Sequence, residues 1–227
     1  MDPKSSASIR RVLALVRKDL LEEYRARYAI STLLVFAVTI LVVVGFAAGM
    51  DPLPGHLHSS FIWLVLFFAA VTGIDRSFVK EEEKNTSPTL RLAADPDVVY
   101  AGKLAFNFLV LLALAALVLP LYVILMNPPV KNAPLLVAMV VAGVWCLAVT
   151  TTILAAIVAK TGTRNALLPV LSFPLLLAVL TTVVSGTTMA LEGAGFTGAR
   201  QELQFLLSYS VVMLTVSWLL FPYVWND

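Results

Sequence analysis

The sequence predicts an all-α membrane protein whose six transmembrane helices form a single domain over residues 1–227. Of the 227 residues, 59% are hydrophobic and 13% are charged, whereas soluble domains average about 25% charged residues. Six apolar stretches have roughly the 20 residues with which a helix crosses a bilayer. They do not alternate apolar and polar residues, as the strands of a membrane β-barrel would. Composition and stretch length therefore favour a helical bundle.

The first element, residues 6–28, predicts an amphipathic helix that lies in the membrane interface. Six apolar residues recur at the helical spacing of three and four: Ile9, Val12, Leu13, Val16, Leu20 and Tyr24. Basic residues lie to the side or opposite: Arg10, Arg11, Arg17, Lys18 and Arg25. Such a helix places its apolar face in the acyl boundary and its basic residues near anionic headgroups. The alternative is a basic flank that only precedes the first span.

The six spans are predicted over residues 30–49, 57–75, 100–126, 134–159, 165–186 and 203–224. Fourteen of the sixteen lysine and arginine residues lie before span 1, from residue 76 to residue 103 at the start of span 3, or between spans 4 and 5. Connections rich in lysine and arginine stay in the cytoplasm. Both termini are therefore expected in the cytoplasm, and the first apolar run is expected to be a retained helix, not a cleaved signal peptide.

Two connections are expected on the outer side. Residues 50–58 predict a turn-rich loop that holds both histidines, His56 and His58. Neutral imidazole can bind metal or haem iron, but two loop histidines alone define no site, and no metal ligand is predicted. Residues 185–202 are rich in small residues and predict short helices that dip back into the outer leaflet.

Three features inside the spans concern packing and movement. Span 5 contains Pro169 and Pro174, each of which removes a backbone hydrogen bond; the pair is either a hinge or the ordinary proline content of a spanning helix. In span 4, the hydroxyls of Thr150–Thr152 are expected to bond to their own helix or to a neighbour. The end of span 6 predicts an aromatic belt at the inner interface: Trp218, Phe221, Tyr223 and Trp225.

The longest polar segment, Asp75–Lys103, predicts a cytoplasmic coupling loop over residues 76–99. It holds five basic residues and the acidic run Glu81–Glu83. Residues 77–94 are expected to form a short docking helix for a soluble partner, and Asp95-Pro96 starts the helix that continues into span 3. The alternative is a solvated linker. The ionisable residues nearest the spans are expected at span edges: Asp75, Arg76, Lys103, Lys160 and Glu192.

Catalytic chemistry is not predicted. No glycine-rich nucleotide-binding motif precedes Lys103, and the spans show no converging polar residues of the kind an intramembrane enzyme needs. The absence of deep charges also argues against a proton-coupled carrier. A net charge of +2 gives no reason to expect nucleic acid as a partner. The sequence therefore indicates a non-catalytic membrane subunit, and if energy drives this protein, a separate subunit must supply it. A membrane scaffold or an intramembrane enzyme is the alternative that the sequence favours least.

Several motifs, in order and spacing, resemble the CcmB family. They are Gly73-Ile74-Asp75-Arg76-x-Phe78, the run Glu81–Glu83, Leu90-x-Leu92, Pro96 and Gly102-Lys103, together with Val16-Arg17-Lys18-Asp19-Leu20 and the segment Lys160–Pro174. The chain departs from the family's pattern at Lys84–Pro88, at Phe106-Asn107 and at Asp95-Pro96-Asp97. CcmB is the permease subunit of the haem-exporter-type ABC transporter in cytochrome c maturation.

The resemblance implies an ABC-2-type permease of the inner membrane. It implies that an ATPase docks on eight residues: Asp75, Arg76, Phe78, Glu81, Glu82, Glu83, Leu90 and Leu92. The implied partners are a cytoplasmic ABC ATPase (CcmA-like), a haem-handling membrane subunit (CcmC-like), a small single-span subunit (CcmD-like), a second permease copy and membrane lipids. No cofactor is expected to bind tightly, and haem is implied only as cargo. The alternative is an ABC-2-type permease that exports a lipid, polysaccharide or peptide.

Overall fold

The computed structural model describes residues 3–26, 28–48, 53–83, 94–160 and 164–226. Across these ranges the chain forms seven α-helices and no strand. The helices are α1 (Pro3–Ala26), α2 (Tyr28–Ala48), α3 (Gly55–Glu83), α4 (Pro96–Met126), α5 (Ala133–Lys160), α6 (Arg164–Glu192) and α7 (Arg200–Asn226).

Helices α2 to α7 overlap the six predicted spans. Four described segments are long and apolar enough to cross a membrane: Pro96–Met126, Ala133–Ala159, Phe173–Glu192 and Arg200–Trp225. The described apolar parts of α2 and α3 are shorter, Val35–Phe46 and Gly55–Val71. The predicted all-helical membrane class is confirmed, and the count of six spans stays a prediction.

Helix α5 is the centre of the bundle. It contacts α3, α4, α6 and α7, and every residue from Cys146 to Ala156 is buried. At Gly143 a Cβ would overlap the Trp63 ring of α3, so glycine is what allows the two helices to approach here. The most buried span is therefore the one on which four neighbours pack.

Helix α1 lies along the first half of α4. A Cβ at Gly102 would lie 3.1 Å from the Cβ of Leu15, so the two backbones come close at this crossing. Val16, Asp19 and Glu23 form the buried face of α1. The apolar residues Ile9, Leu13 and Leu20 are exposed beside that face. The interfacial position of this helix stays a prediction.

Helix α4 starts where the sequence predicted. Asp95 is its N-cap residue with an extended backbone, and Pro96 follows inside the first turn. The Asp95 carbonyl accepts hydrogen bonds from the backbone N–H groups of Val98 and Val99. The carboxylate makes no capping bond, so the fixed backbone of proline is the stronger start signal here.

Three predictions about the connections are wrong. His56 and His58 lie in the first turn of α3, because that helix begins at Gly55. Residues 77–83 continue α3 and do not start a separate helix; the rest of that predicted helix, residues 84–93, lies outside the described residues. Helix α6 continues to Glu192, so residues 185–192 do not form re-entrant helices.

The turn between α6 and α7 explains the third difference. Gly193 adopts φ +96°, a conformation that glycine tolerates without steric cost. The backbone N–H groups of Gly193 and Ala194 both bond to the carbonyl of Met189, which closes the helix. The small residue Gly186 lies inside α6, where it leaves room for the Met139 side chain.

Candidate functional site

Five aromatic side chains meet at the end of the bundle where α3 ends and α4 begins, which we call the α3–α4 end. This aromatic cluster consists of Phe78, Tyr100, Trp218, Phe221 and Trp225. Phe221 lies at its centre, with ring centroids 5.2 Å from Tyr100, 5.6 Å from Trp225 and 6.0 Å from Phe78. Tyr100 also meets Trp218 edge-on at 6.1 Å. The cluster therefore joins α3, α4 and α7 through tilted and stacked ring contacts.

The predicted aromatic belt is only partly present. Trp218 and Tyr223 are exposed, at 43% and 75%. Phe221 and Trp225 are instead buried within the bundle. Their spacing of four residues places both on one face of α7, and that face packs on α3 and α4.

A buried ion pair lies beside the aromatic cluster. Lys103 Nζ of α4 donates a hydrogen bond of 2.9 Å to Asp19 Oδ2 of α1. The side chains are only 3% and 8% exposed. Lys103 Nζ also lies 5.8 Å from the centroid of the Phe78 ring, within the range of a cation–π contact. The pair thus connects α1 to the same end of the bundle.

Sequence patterns did not indicate this pair. Lys103 was expected at a span edge, and no role was predicted for Asp19. A usable signal existed, because Asp19 falls one turn after Val16 on the side of α1 that packs on α4. The partner, however, lies 84 residues away, and no local pattern connects the two.

The structure places the predicted docking residues in three different situations. Phe78 is 4% exposed and packs inside the bundle, so its ring does not offer a surface to a partner here. Asp75, Arg76 and Glu81–Glu83 lie on the last turns of the described part of α3. Leu90 and Leu92 lie outside the described residues.

Polar contacts cross the middle of the bundle. Asn107 Nδ2 of α4 donates to Thr152 Oγ1 of α5 at 2.8 Å. The Thr150 hydroxyl lies 3.1 Å from the Tyr209 hydroxyl of α7. Thr151 and Thr152 also donate to carbonyls one turn back, those of Leu147 and Ala148. Both predicted uses of the threonine run are confirmed.

A second set of polar contacts joins helices at the opposite end of the bundle. His58 Nδ1 lies 2.8 Å from the Tyr122 hydroxyl, which connects α3 to α4. Trp63 Nε1 donates to Thr187 Oγ1 at 2.9 Å, and this bond connects α3 to α6. His58 is buried and His56 is exposed. Within the described ranges, no group of three or more His, Cys, Asp or Glu residues could hold a metal.

An apolar cavity of about 700 Å³ opens between α3 and α6. Its walls include Trp63, Phe67, Phe173 and Pro174. Pro174 is exposed, and α6 runs through Pro169 and Pro174 as one helix. Both alternatives for these prolines, a hinge or ordinary proline content, stay open, and Pro174 borders this cavity.

Comparison with known proteins gives one finding. A family model described as CcmB protein matches residues 10–223, which is nearly the whole chain. A comparison with curated proteins found no match. The matched range includes the ion pair, both sets of polar contacts and every residue of the aromatic cluster except Trp225. It confirms the resemblance that the sequence motifs indicated.

Proposed function

The chain belongs to the CcmB family, a family of membrane permeases, and from that membership we propose its role. It is the transmembrane permease subunit of an ABC transporter complex for haem export and holo-chaperone release in cytochrome c maturation. The fold is the six-span ABC-2 type, in the inner membrane with both termini in the cytoplasm. ATP hydrolysis occurs in a separate subunit.

One observation carries this proposal, which is the convergence of four helices at the α3–α4 end. The end of α3 bears the acidic run, and α4 begins thirteen residues after Glu83, at Pro96. The aromatic cluster joins both helices to α7, and the ion pair joins α4 to α1. A partner that grips residues 76–99 therefore acts on four helices at once.

The proposed docking surface consists of Asp75, Arg76, Glu81, Glu82, Glu83, Leu90 and Leu92. Three consecutive carboxylates repel one another, and a basic partner surface relieves that repulsion. Phe78 differs from its neighbours, because it transmits a displacement of α3 into the aromatic cluster. The docking surface thus contacts the partner, and the aromatic cluster transmits the displacement of α3 to α4 and α7.

The interfacial helix predicted over residues 6–28 corresponds to α1, which ends at Ala26, and α1 is proposed to lie in the inner interface. Arg10, Arg11, Arg17 and Lys18 are exposed, and so are three apolar residues: Ile9, Leu13 and Leu20. This arrangement suits a helix whose basic side faces anionic headgroups while an apolar stripe enters the acyl boundary.

The proposed partners are a CcmA-like ATPase, a CcmC-like haem-handling subunit, a CcmD-like single-span subunit and a second permease copy. The chain itself is proposed to bind no cofactor tightly, with haem as handled cargo. Stoichiometric haem absorbance on the purified, isolated protein would contradict that assignment.

The test of ATPase docking is affinity capture from detergent. The triple variant Glu81→Lys, Glu82→Lys and Glu83→Lys should capture at most about a tenth of the ATPase that the parent captures, because a like-charge juxtaposition replaces an attraction. Its level in the membrane should be unchanged. Glu192→Lys is the control, since Glu192 is exposed at the opposite end of the bundle. Retained capture by the triple variant would move docking to another segment.

A second candidate cargo is favoured by the apolar cavity between α3 and α6. Its walls suit hydrocarbon, so export of a lipid by the same architecture is the competing function. Co-purification of a haem-handling subunit with the parent supports the first function. Capture of an ATPase without any haem-handling subunit supports the second.

A further inference from the structure

The Asp19–Lys103 ion pair has an energetic property that its packing role does not require. A buried ion pair gains little net stability over a well-packed apolar pair, because both charges lose their hydration. Its characteristic effect is on register: a misplaced ammonium or carboxylate would remain buried and unpaired. Gly102, next to Lys103, allows the close approach at the same point, since a Cβ there would lie 3.1 Å from the Cβ of Leu15. The ion pair thus selects one position of α1 along α4 at the crossing where the two helices are close.

The surroundings of the pair connect it to the proposed docking segment. Lys103 Nζ faces the Phe78 ring, and Phe78 lies three residues before the first glutamate of the acidic run. Two other charged residues of α1 lie near Asp19: Lys18, whose Nζ is 3.6 Å from Asp19 Oδ1, and Glu23, which is buried one turn later. The pair therefore lies between the interfacial helix and the segment that a partner would grip.

An exposed pair provides the contrast. Arg11 Nη1 of α1 lies 3.9 Å from Asp95 Oδ2 at the start of α4, with side chains 57% and 77% exposed. Exposed ion pairs at this distance are screened by water and contribute little. The α1–α4 contact thus has one pair that can select a register and one that cannot.

We propose that Asp19 and Lys103 are a positioning pair that locks α1 to α4, so that the interfacial helix moves with the helices that the partner drives. Neither residue contacts the partner. This role rests on the proposed function, because it presupposes that a partner moves the docking segment. The ion pair is then the connection through which that motion reaches α1 at the membrane interface. The lock itself is a property of this chain alone, and it can be measured separately.

The test measures contact between α1 and α4 in the full-length protein in membranes. The variant Leu15→Cys, Gly102→Cys is made in a Cys146→Ala background, which leaves two thiols. A Cβ at residue 102 would lie 3.1 Å from the Cβ of residue 15, and disulfides need Cβ atoms about 3.5–4.5 Å apart. The disulfide therefore forms after the two helices separate by a few tenths of an ångström. After mild oxidation, a maleimide mass tag counts the free thiols: locked molecules take no tag and open molecules take two. Failure of the disulfide to form with both charges intact would overturn the proposal.

Single-charge variants then test the pair. Asp19→Asn and Lys103→Met should each slow disulfide formation at least about tenfold, because either change removes the buried charged hydrogen bond that joins α1 to α4. The Lys18 ammonium near Asp19 belongs to α1 itself and cannot replace that connection. Arg11→Gln should change the rate less than about twofold, as expected for an exposed pair. The reversed pair, Asp19→Lys with Lys103→Asp, should recover most of the parental rate, a rescue that a purely local packing role would not give. Unchanged rates in both single variants would overturn the proposal.

The amount of each variant in the membrane is measured as well, because the single variants can fail to accumulate. In that case, accumulation of the reversed pair with a recovered disulfide would support the lock. Failure of the reversed pair to form the disulfide would overturn the proposal. Capture of the ATPase is measured on the same samples. The single variants should capture as much ATPase as the parent, with a lower yield of mature cytochrome c. If the parent captures no ATPase, the proposed function fails, while the disulfide rates still judge the lock.

Discussion

At the scale of the residue, Gly143 decides whether the centre of the bundle can form. The Trp63 ring fills the space in which a Cβ at this position would lie, and a Val183 methyl carbon would be 2.8 Å away. Trp63 cannot easily turn aside, because its Nε1 donates to Thr187. A single hydrogen atom in place of a methyl group is therefore what lets α3, α5 and α6 meet.

We expect Gly143→Ala to lower the stability of the folded protein by about 1–3 kcal/mol, the usual cost of overpacking a well-packed core. Thermal unfolding in detergent measures the change. Gly195→Ala is the matched control, since its Cβ would approach nothing closer than Thr197 Oγ1 at 3.7 Å. Equal unfolding temperatures for Gly143→Ala and the parent would show that α3 and α5 can move apart at low cost.

At the scale of the element, much of the fold could be predicted, because apolar length alone forces helices on a chain in lipid. Helices α4 to α7 start or end within a few residues of most predicted boundaries, and Asp95-Pro96 set the start of α4. The predictions were wrong where small residues and proline occur, because these residues are found both in turns and inside membrane helices. Pro54 and Gly55 suggested a loop, yet Pro54 accepts the first backbone bonds of α3. Gly186 suggested a break, yet it makes room for Met139.

The candidate site was harder to predict than the helices. The acidic run and the start of α4 belong to one polar segment of the sequence, so a local pattern could identify them. The ion pair joins residues 84 positions apart, and the aromatic cluster joins α3 and α4 to α7, which lies much further along the chain. Such contacts depend on how the helices pack against one another, whereas hydropathy shows only which stretches of the chain are apolar.

At the scale of the whole molecule, the two ends of the bundle are held by different chemistry. The α3–α4 end has a buried ion pair and an aromatic cluster. The opposite end has neutral hydrogen bonds between His58 and Tyr122 and between Trp63 and Thr187. Removing one partner from a buried ion pair costs more than removing one partner from a neutral hydrogen bond. The α3–α4 end is therefore the more sensitive of the two to single substitutions in these contacts.

The proposed orientation predicts which lysines are accessible from outside intact cells. An amine-reactive reagent that cannot cross the membrane should modify Lys131, which is exposed beside Gly193. It should leave Lys80 and Lys84 unmodified until the cells are opened, because the positive-inside distribution places them in the cytoplasm. Mass spectrometry of the labelled protein identifies the modified positions. External modification of Lys80 or Lys84 would invert the topology and separate the acidic run from any ATP-driven partner.

The cavity between α3 and α6 bears on how the protein behaves outside its membrane. Two polar groups in its wall already donate hydrogen bonds within the protein. The Ser60 hydroxyl donates to the His56 carbonyl, and the Trp63 indole N–H donates to the Thr187 hydroxyl. Water gains few partners in such a space, so hydrocarbon tails are its natural filling. Purification that strips away annular lipid would leave this void to the surfactant, and the shelf life of the isolated protein would follow the chain length of the detergent chosen.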